Sequence, residues 1–263
     1  MANPHRFYLS HMHNKTGYRA SWDPGHTLKI GFVGKLDKAG VFIVYTSLQR
    51  EGITPDVLSD VSEGQFDYSS HDQVDIAVKA AGTAPALGSA LTEADAGFSV
   101  EFKSNRGIVF QADGFKTHQI VNISEVERQV LEKYKNGNWD KDWLIITKLV
   151  EASAATILIS NSNNSKLELK AKAGVGTGKL KLTDANLGLT VAREQGSTLK
   201  YISEKGLTPL YSLMGVRHPW LGSPSVVTKA TVGQEATEDD FKVQDFLPEE
   251  LEEIEENTPV AQP

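Results

Sequence analysis

Cysteine is absent from the 263 residues. That excludes disulfides, thiolate nucleophiles, cysteine zinc sites and S-acylation together. Also missing is any run approaching the ~20 apolar residues that a membrane-spanning helix requires. Residues 1–21 are polar, with scattered His and Arg, and contain no apolar core of signal-peptide length. The expectation is therefore a cytoplasmic chain, one that could meet a bilayer only as a surface binder or through β-strands. Collagen-like, disordered and disulfide-scaffold compositions are excluded too. The length allows one large domain, or one domain with an appendage, and either can bury a core.

Catalytic signatures are equally scarce. There is no Gly-x-Ser-x-Gly elbow and no His-Glu-x-x-His. Gly174-Val175-Gly176-Thr177-Gly178-Lys179 has a superficial likeness to a phosphate loop, but the spacing is wrong and Leu180 stands where Ser or Thr is needed. His11 and His13 flank Met12, with no carboxylate or cysteine cluster to complete a metal site. Asn14-Lys15-Thr16 and Asn122-Ile123-Ser124 match the glycosylation sequon, which without a signal peptide reads as chance. The expectation is a protein that is not an enzyme, with no cofactor and no metal.

What is present is segregated charge. The net charge is −7. Residues 235–256 hold eleven Asp/Glu and one Lys, a net of −10; the remainder holds 26 bases and 23 acids, a net of +3. A slightly basic body is thus followed by an acidic tail. Phe241, Val243, Phe246, Leu247, Leu251 and Ile254 interrupt the tail's acids. Pro248-Glu249-Glu250 suits a helix start, and it puts Leu247, Leu251 and Ile254 on one face. A purely solubilising tail has no need of that apolar face, so the tail is expected to dock on the body. Residues 222–240, rich in Gly, Ser, Thr and acids, read as a linker.

Strict alternation is the second positive signal. Val74, Ile76 and Val78 alternate with Asp75, Ala77 and Lys79; Phe98, Val100 and Phe102 alternate with Ser99, Glu101 and Lys103. The chain turns at Ser104-Asn105-Arg106-Gly107 into Ile108, Val109 and Phe110. Period two marks a strand with one apolar face, which suits either a soluble sheet or a membrane barrel. A second unit echoes the first. Lys166, Glu168, Lys170 and Lys172 alternate with Leu167, Leu169 and Ala171. Beyond a glycine-spaced run, Leu180 and Leu182 alternate with Lys179 and Lys181, and Leu187, Leu189 and Val191 follow. These lysines could bind nucleic acid. They lack the aromatic interleaving of single-strand binders, so anionic lipid is at least as good a candidate.

The remaining elements are read more coarsely. Leu28, Ile30, Phe32 and Val33 form a strand, and Val41-Phe42-Ile43-Val44-Tyr45 a central one. Within 81–96, Leu87, Leu91 and Ala94 at helical spacing predict a short helix. After Phe115 a polar link leads to a helix opening at Ile123, with Ser124 as N-cap and Glu127 in the capping-box position. Val126, Val130, Leu131 and Tyr134 form its apolar stripe, and Asn136-Gly137 ends it. Residues 143–150 and 154–159 read as two strands joined by a turn at Glu151-Ala152-Ser153. Residues 198–202 and 208–214 read as closing strands. The fold class is α+β: a twisted, mostly antiparallel central sheet with surrounding helices.

One resemblance adds to this. Gly137-Asn138-Trp139, then Trp143-Leu144-Ile145-Ile146-Thr147-Lys148-Leu149-Val150-Glu151-Ala152, then Ala155-Thr156-Ile157-Leu158-Ile159-Ser160, is similar to the central segment of gasdermin pore-forming domains. Leu28-Lys29-Ile30-Gly31-Phe32-Val33-Gly34 resembles the family's beginning. The likeness is to the short bacterial and fungal members and covers most of residues 20–220. It implies a pore-forming domain over 1–221, a linker with a cleavage site over 222–240, and an inhibitory tail over 241–263. It implies a cytoplasmic, autoinhibited form that a protease or a partner protein activates. The activated form then binds acidic phospholipid at the cell membrane, assembles with itself into a ring and permeabilises the membrane in cell death or antiviral defence. Nucleic acid has no part in it. The first inserting hairpin maps to about 74–110 and the second to about 167–191, with Lys166, Lys170, Lys172, Lys179 and Lys181 as acidic-lipid contacts. Bacterial members often carry a lipidated N-terminal cysteine, which this chain lacks. The rival expectations are a soluble α+β binding or adaptor protein with an acidic partner-docking tail, and a hydrolase.

Overall fold

The computed structural model describes residues 4–22, 24–38, 40–70, 73–172, 180–217 and 225–227. The chain begins α1 (Pro4–Thr16), β1 (Arg19–Ala20), β2 (Phe32–Leu36), β3 (Phe42–Ser47), β4 (Val57–Ser59) and β5 (Gly64–Ser69). It continues β6 (Val74–Lys79), β7 (Gly97–Phe102), β8 (Ile108–Ile120), α2 (Ile123–Lys135), β9 (Leu144–Ser160) and β10 (Ser165–Lys170). A 3-10 turn, η1 (Ala185–Leu187), precedes β11 (Thr190–Gln195), β12 (Thr198–Arg217) and β13 (Ser225–Val227). The expected antiparallel architecture is present. Helices are few among the described residues, two α-helices and η1, so a surrounding set of helices is not a feature of them.

The strands form two sheets. One has nine strands along the path β1-β12-β9-β2-β3, with β13 on β12, β8 on β9, and β4 and β5 on β8. The other has four strands in the order β11-β10-β7-β6. The chain divides into two compact units, one of Met1–Tyr8, Ser62–Lys116 and Glu151–Leu207, the other of Leu9–Val61, Thr117–Val150 and Thr208–Pro263.

In the second of these units, successive residues of β9 point to opposite faces. Ile145 packs with Val33, Val126, Val130, Trp139 and Met214. Its neighbours Leu144 and Ile146 pack instead with Leu28, Phe42, Tyr211 and Leu213. The apolar stripe of α2 lies where the sequence put it, with Val126 and Val130 buried and Leu131 and Tyr134 partly so. Its N-terminus differs. Asn122 is the N-cap, and Ser124 lies inside the first turn. The Asn122 side chain is already engaged, accepting from the Asp56 N–H at 2.8 Å and donating to the Thr54 carbonyl at 3.2 Å. On the surface, Lys35 pairs with Asp140 at 2.7 Å. That hydrogen bond, with the Asp142 N–H and the lysine's charge, holds the Asp140 carboxyl below the usual carboxylate range.

Several local readings are corrected. Residues 81–96 form turns and no helix. Gly82 and Gly88 both take left-handed backbone, at φ +81° and +76°, which a continuing right-handed helix does not permit. The expected turn at 151–153 does not exist, because β9 runs unbroken for 17 residues. Ala152 is buried while Glu151 and Ser153 are exposed, so the three simply continue the alternation. The two closing strands are one, β12, and the polar link after Phe115 is the end of β8. β3 is an outer strand of the path, not a central one, with Ile43 and Tyr45 exposed. Residues 180–184, expected to alternate as a strand, are irregular. Finally, the His-rich start forms α1, with Tyr8, Leu9 and Met12 buried. Of the expected linker, Ser225–Val227 is described and pairs with β12, Gly215 opposite Val227. The rest of the linker and the tail, including Phe241, Val243, Phe246, Leu247, Leu251 and Ile254, lie outside the described residues.

Candidate functional site

The two amphipathic units meet in the four-stranded sheet. β6 pairs β7 and β10 pairs β11, and the two pairs join where β10 runs antiparallel to β7. The register aligns the apolar positions. Ile76 lies opposite Val100, and Val100 opposite Leu167; Val78 lies opposite Phe98, and Phe98 opposite Leu169. Cross-strand alignment of this kind is what stabilises a sheet face. Val74, Phe98, Val100, Phe102, Leu167 and Leu169 are all buried in one cluster. Val109, at the start of β8, and Leu182 close it, with Leu187 of η1 beside them. Ile76, Leu180 and Leu189 are partly buried against the same cluster. Of Val74, Ile76, Val78, Phe98, Val100, Phe102, Val109, Leu167, Leu169, Leu180, Leu182 and Leu189, the apolar residues that the resemblance assigns to membrane insertion, only Val78 stands out in water, 58% exposed. It is on the outer strand β6 and lines a cleft of ≈ 240 Å³ together with Phe66, Ile76, Phe98, Gln111 and Asp113 among others.

The opposite face is polar and tightly paired. Lys166 lies across from Glu101 and bonds it at 2.7 Å. Asp75, on the other side of Glu101, is taken by Lys103 at 3.0 Å. Glu168 is 1% exposed. A buried carboxylate requires partners, and its Oε2 accepts the Ala90 N–H at 2.7 Å while Lys166 stands 3.9 Å away. Lys170 pairs with Asp95 at 2.7 Å. Of the other lysines read as lipid contacts, Lys172 is exposed, Lys181 is 3.9 Å from Asp113, and Lys179 lies outside the described residues.

Residues 80–96 cross this polar face as a strap. Their ends continue from β6 and into β7. Lys79 donates to the carbonyls of Asp95 at 2.7 Å and Glu93 at 3.3 Å. Arg193 donates to the Gly88 carbonyl at 2.5 Å. Leu91 is buried beneath, and Leu87 at the tip is fully exposed. The segment 180–184 is fastened separately. The Thr183 hydroxyl donates to Asp113, and Thr156 of β9 donates to the Leu182 carbonyl at 2.6 Å.

Sequence reasoning found the apolar face and missed these fasteners. Glu168 sits at an ordinary polar position of the alternation and Arg193 just past its end, so no sequence signal separates them from solvated charges. Among the described residues no group of three His, Cys, Asp or Glu is placed to hold a metal ion, and no helix is long and apolar enough to cross a membrane.

No family model matches the chain, and no curated protein matches it. Among the solved structures that are similar to it, two match over most of its length as follows. A bacterial gasdermin from Bradyrhizobium tropiciagri shares 13% identity, covering 86% of this chain and 91% of that one, with a TM-score of 0.37. The gasdermin A3 membrane pore shares 9% identity, covering 85% of this chain and 94% of that one, also with a TM-score of 0.37.

Proposed function

We propose that this chain is a pore-forming protein of the gasdermin type. In this reading it is cytoplasmic and inactive until its acidic C-terminal segment is removed by a protease or displaced by a partner. It then binds acidic phospholipid at the cell membrane, assembles with copies of itself and inserts its two strand pairs as β-hairpins. Membrane permeabilisation in cell death or antiviral defence is the outcome.

The observation that carries the reading is the four-stranded sheet. Three of its strands, β6, β7 and β10, come from the two alternating units and pack apolar residues in one buried cluster, and β11, exposed throughout, starts where the second unit ends. Such a face is out of water in the packed state and would be out of water against lipid. Moving between the two costs little of the ~25 cal/mol per Å² that keeps apolar surface from water. What must be surrendered is side-chain packing and the polar fasteners. Strand direction favours assembly. With four strands alternating in direction, the outer strands β6 and β11 run opposite ways. A second copy that lays its β6 beside β11 therefore continues the antiparallel pattern, and repetition of that contact can close into a ring, which removes the free edges. Removal of the tail takes away a net charge of −10 and leaves a body of +3. Each basic residue near an anionic surface then contributes about 1 kcal/mol of attraction. Lys166, Lys170, Lys172, Lys179 and Lys181 are the residues proposed for that contact, with Lys166 and Lys170 exchanging a carboxylate for a lipid phosphate.

The test is dye release from liposomes with and without acidic lipid, comparing the full chain with one ending near Gly233. The shortened chain is expected to leak acidic vesicles and to spare neutral ones. If it is as inert as the full chain on acidic vesicles, cleavage activation is abandoned.

A further inference from the structure

The fasteners of the strap are distributed in a way that carries a second conclusion. Residues 80–96 lie between β6 and β7, so they belong to the first strand pair. Three of the side chains that hold them down belong to the second pair: Glu168 and Lys170 on β10, and Arg193 on β11. The backbone adds a fourth link, with the Ala171 N–H donating to the Ala96 carbonyl at 2.8 Å. The first pair can lengthen only if 80–96 leaves the polar face and becomes strand. The second pair can leave the sheet only if those side chains release the strap.

We propose that the two strand pairs are interlocked through this strap, so that neither is released without the other. The three side-chain links are spread along the segment, at Gly88, Ala90 and Asp95, and each ties it to β10 or β11. Two of them involve a charged group on an exposed or half-exposed side chain, and the third is a buried carboxylate bound to a backbone N–H. Charge-assisted hydrogen bonds of this kind are the stronger sort. A bonded network that spans two elements couples their openings, and coupling of this kind is reciprocal. Loosening the second pair's grip must free the strap, and loosening the strap must free the second pair. The consequence for insertion rests on the pore-forming reading above. The interlock itself is a property of the chain in solution and is tested there.

The experiment is hydrogen exchange on the full chain without membranes, so a failed liposome assay and a failed interlock are separate results. Lys170→Gln with Arg193→Gln is expected to speed exchange across 80–96 by about tenfold or more, the factor to which removal of even one charge-assisted hydrogen bond corresponds. Asp95→Asn alters only the first pair. It is expected to speed exchange in Thr190–Gln195, on the far edge of the sheet, by several-fold. Glu168→Gln is expected to do both; if that variant fails to fold, the Lys170, Arg193 and Asp95 changes decide the matter alone. If Asp95→Asn speeds exchange in 80–96 and leaves Thr190–Gln195 at the original protection, the strap is a local loop and the interlock is wrong.

Discussion

Gly97 lies on the seam between the two strand pairs, and replacing it with alanine tests the sheet there. The residue lies opposite Lys79 on β6 and Lys170 on β10. A Cβ built there falls well inside van der Waals contact of the Leu169 carbonyl oxygen and presses on the Leu169 carbon at 3.0 Å and the Lys170 Cα at 3.3 Å. All three atoms are backbone, so no rotamer change relieves the clash. Overpacking in a core costs about 1–3 kcal/mol when side chains can adjust. Here a strand must move, and the pairing of Gly97 with Lys170 and the adjoining bond from Ala171 to Ala96 go with it. A loss of about 3 kcal/mol or more is expected, a large share of the ~5–15 kcal/mol that holds an ordinary domain folded. Gly88→Ala is the comparison. That position has φ +76° and open space around it, so alanine meets only the backbone penalty of ~1–2 kcal/mol. Urea unfolding of the full chain should show a midpoint shift for Gly97→Ala at least about one and a half times that for Gly88→Ala. Equal shifts would mean that β7 and β10 are not packed as described, and the seam between the pairs would have to be redrawn.

Two further outcomes follow from the packing and the surface. Leu167 is fully buried in the cluster under the sheet, so Leu167→Ala should cost about 2–5 kcal/mol in urea unfolding; a cost below about 1 kcal/mol would mean that the face is not packed. The Asp140 carboxyl, held down by Lys35, is a pH marker for the other unit. Because its folded pKa is depressed, the stability it contributes is present above the ordinary carboxylate range and is lost as pH falls through the folded value. Its carboxyl carbon, followed by NMR, should titrate below the usual range in the parent and move up in Lys35→Gln.

The legible part of the fold was the part with a period. β6, β7 and β10 carry strict alternation, and Val74, Phe98, Val100, Phe102, Leu167 and Leu169 on their apolar face are buried, with Val78 the exposed exception. The stripe of α2 was legible for the same reason. Failures cluster where composition imitates punctuation. Glu151-Ala152-Ser153 has the small and polar residues of a turn, yet within β9 the period of two overrides them. Leu87, Leu91 and Ala94 imitate a helical face, but two left-handed glycines and the grip of neighbouring strands make the segment a strap. The junction of β7 with β10 joins residues far apart in the chain, 67 positions for Val100 and Leu167. Nothing local encodes such a contact, since it is selected only when both apolar faces bury together. Glu168 stands in the sequence as a polar position of the alternation like its neighbours, because its burial depends on that junction and on the strap above it.

The polar face has one more consequence. Along its rows Asp75, Glu101 and Glu168 are interleaved with Lys79, Lys166, Lys170 and Arg193, so three negative charges stand among four positive ones. At a distance beyond a Debye length such a mosaic is nearly silent. Whatever lies over the sheet therefore meets paired charges and not a field of one sign. The acids that pair with the lysines also keep the whole face electrically quiet at a distance.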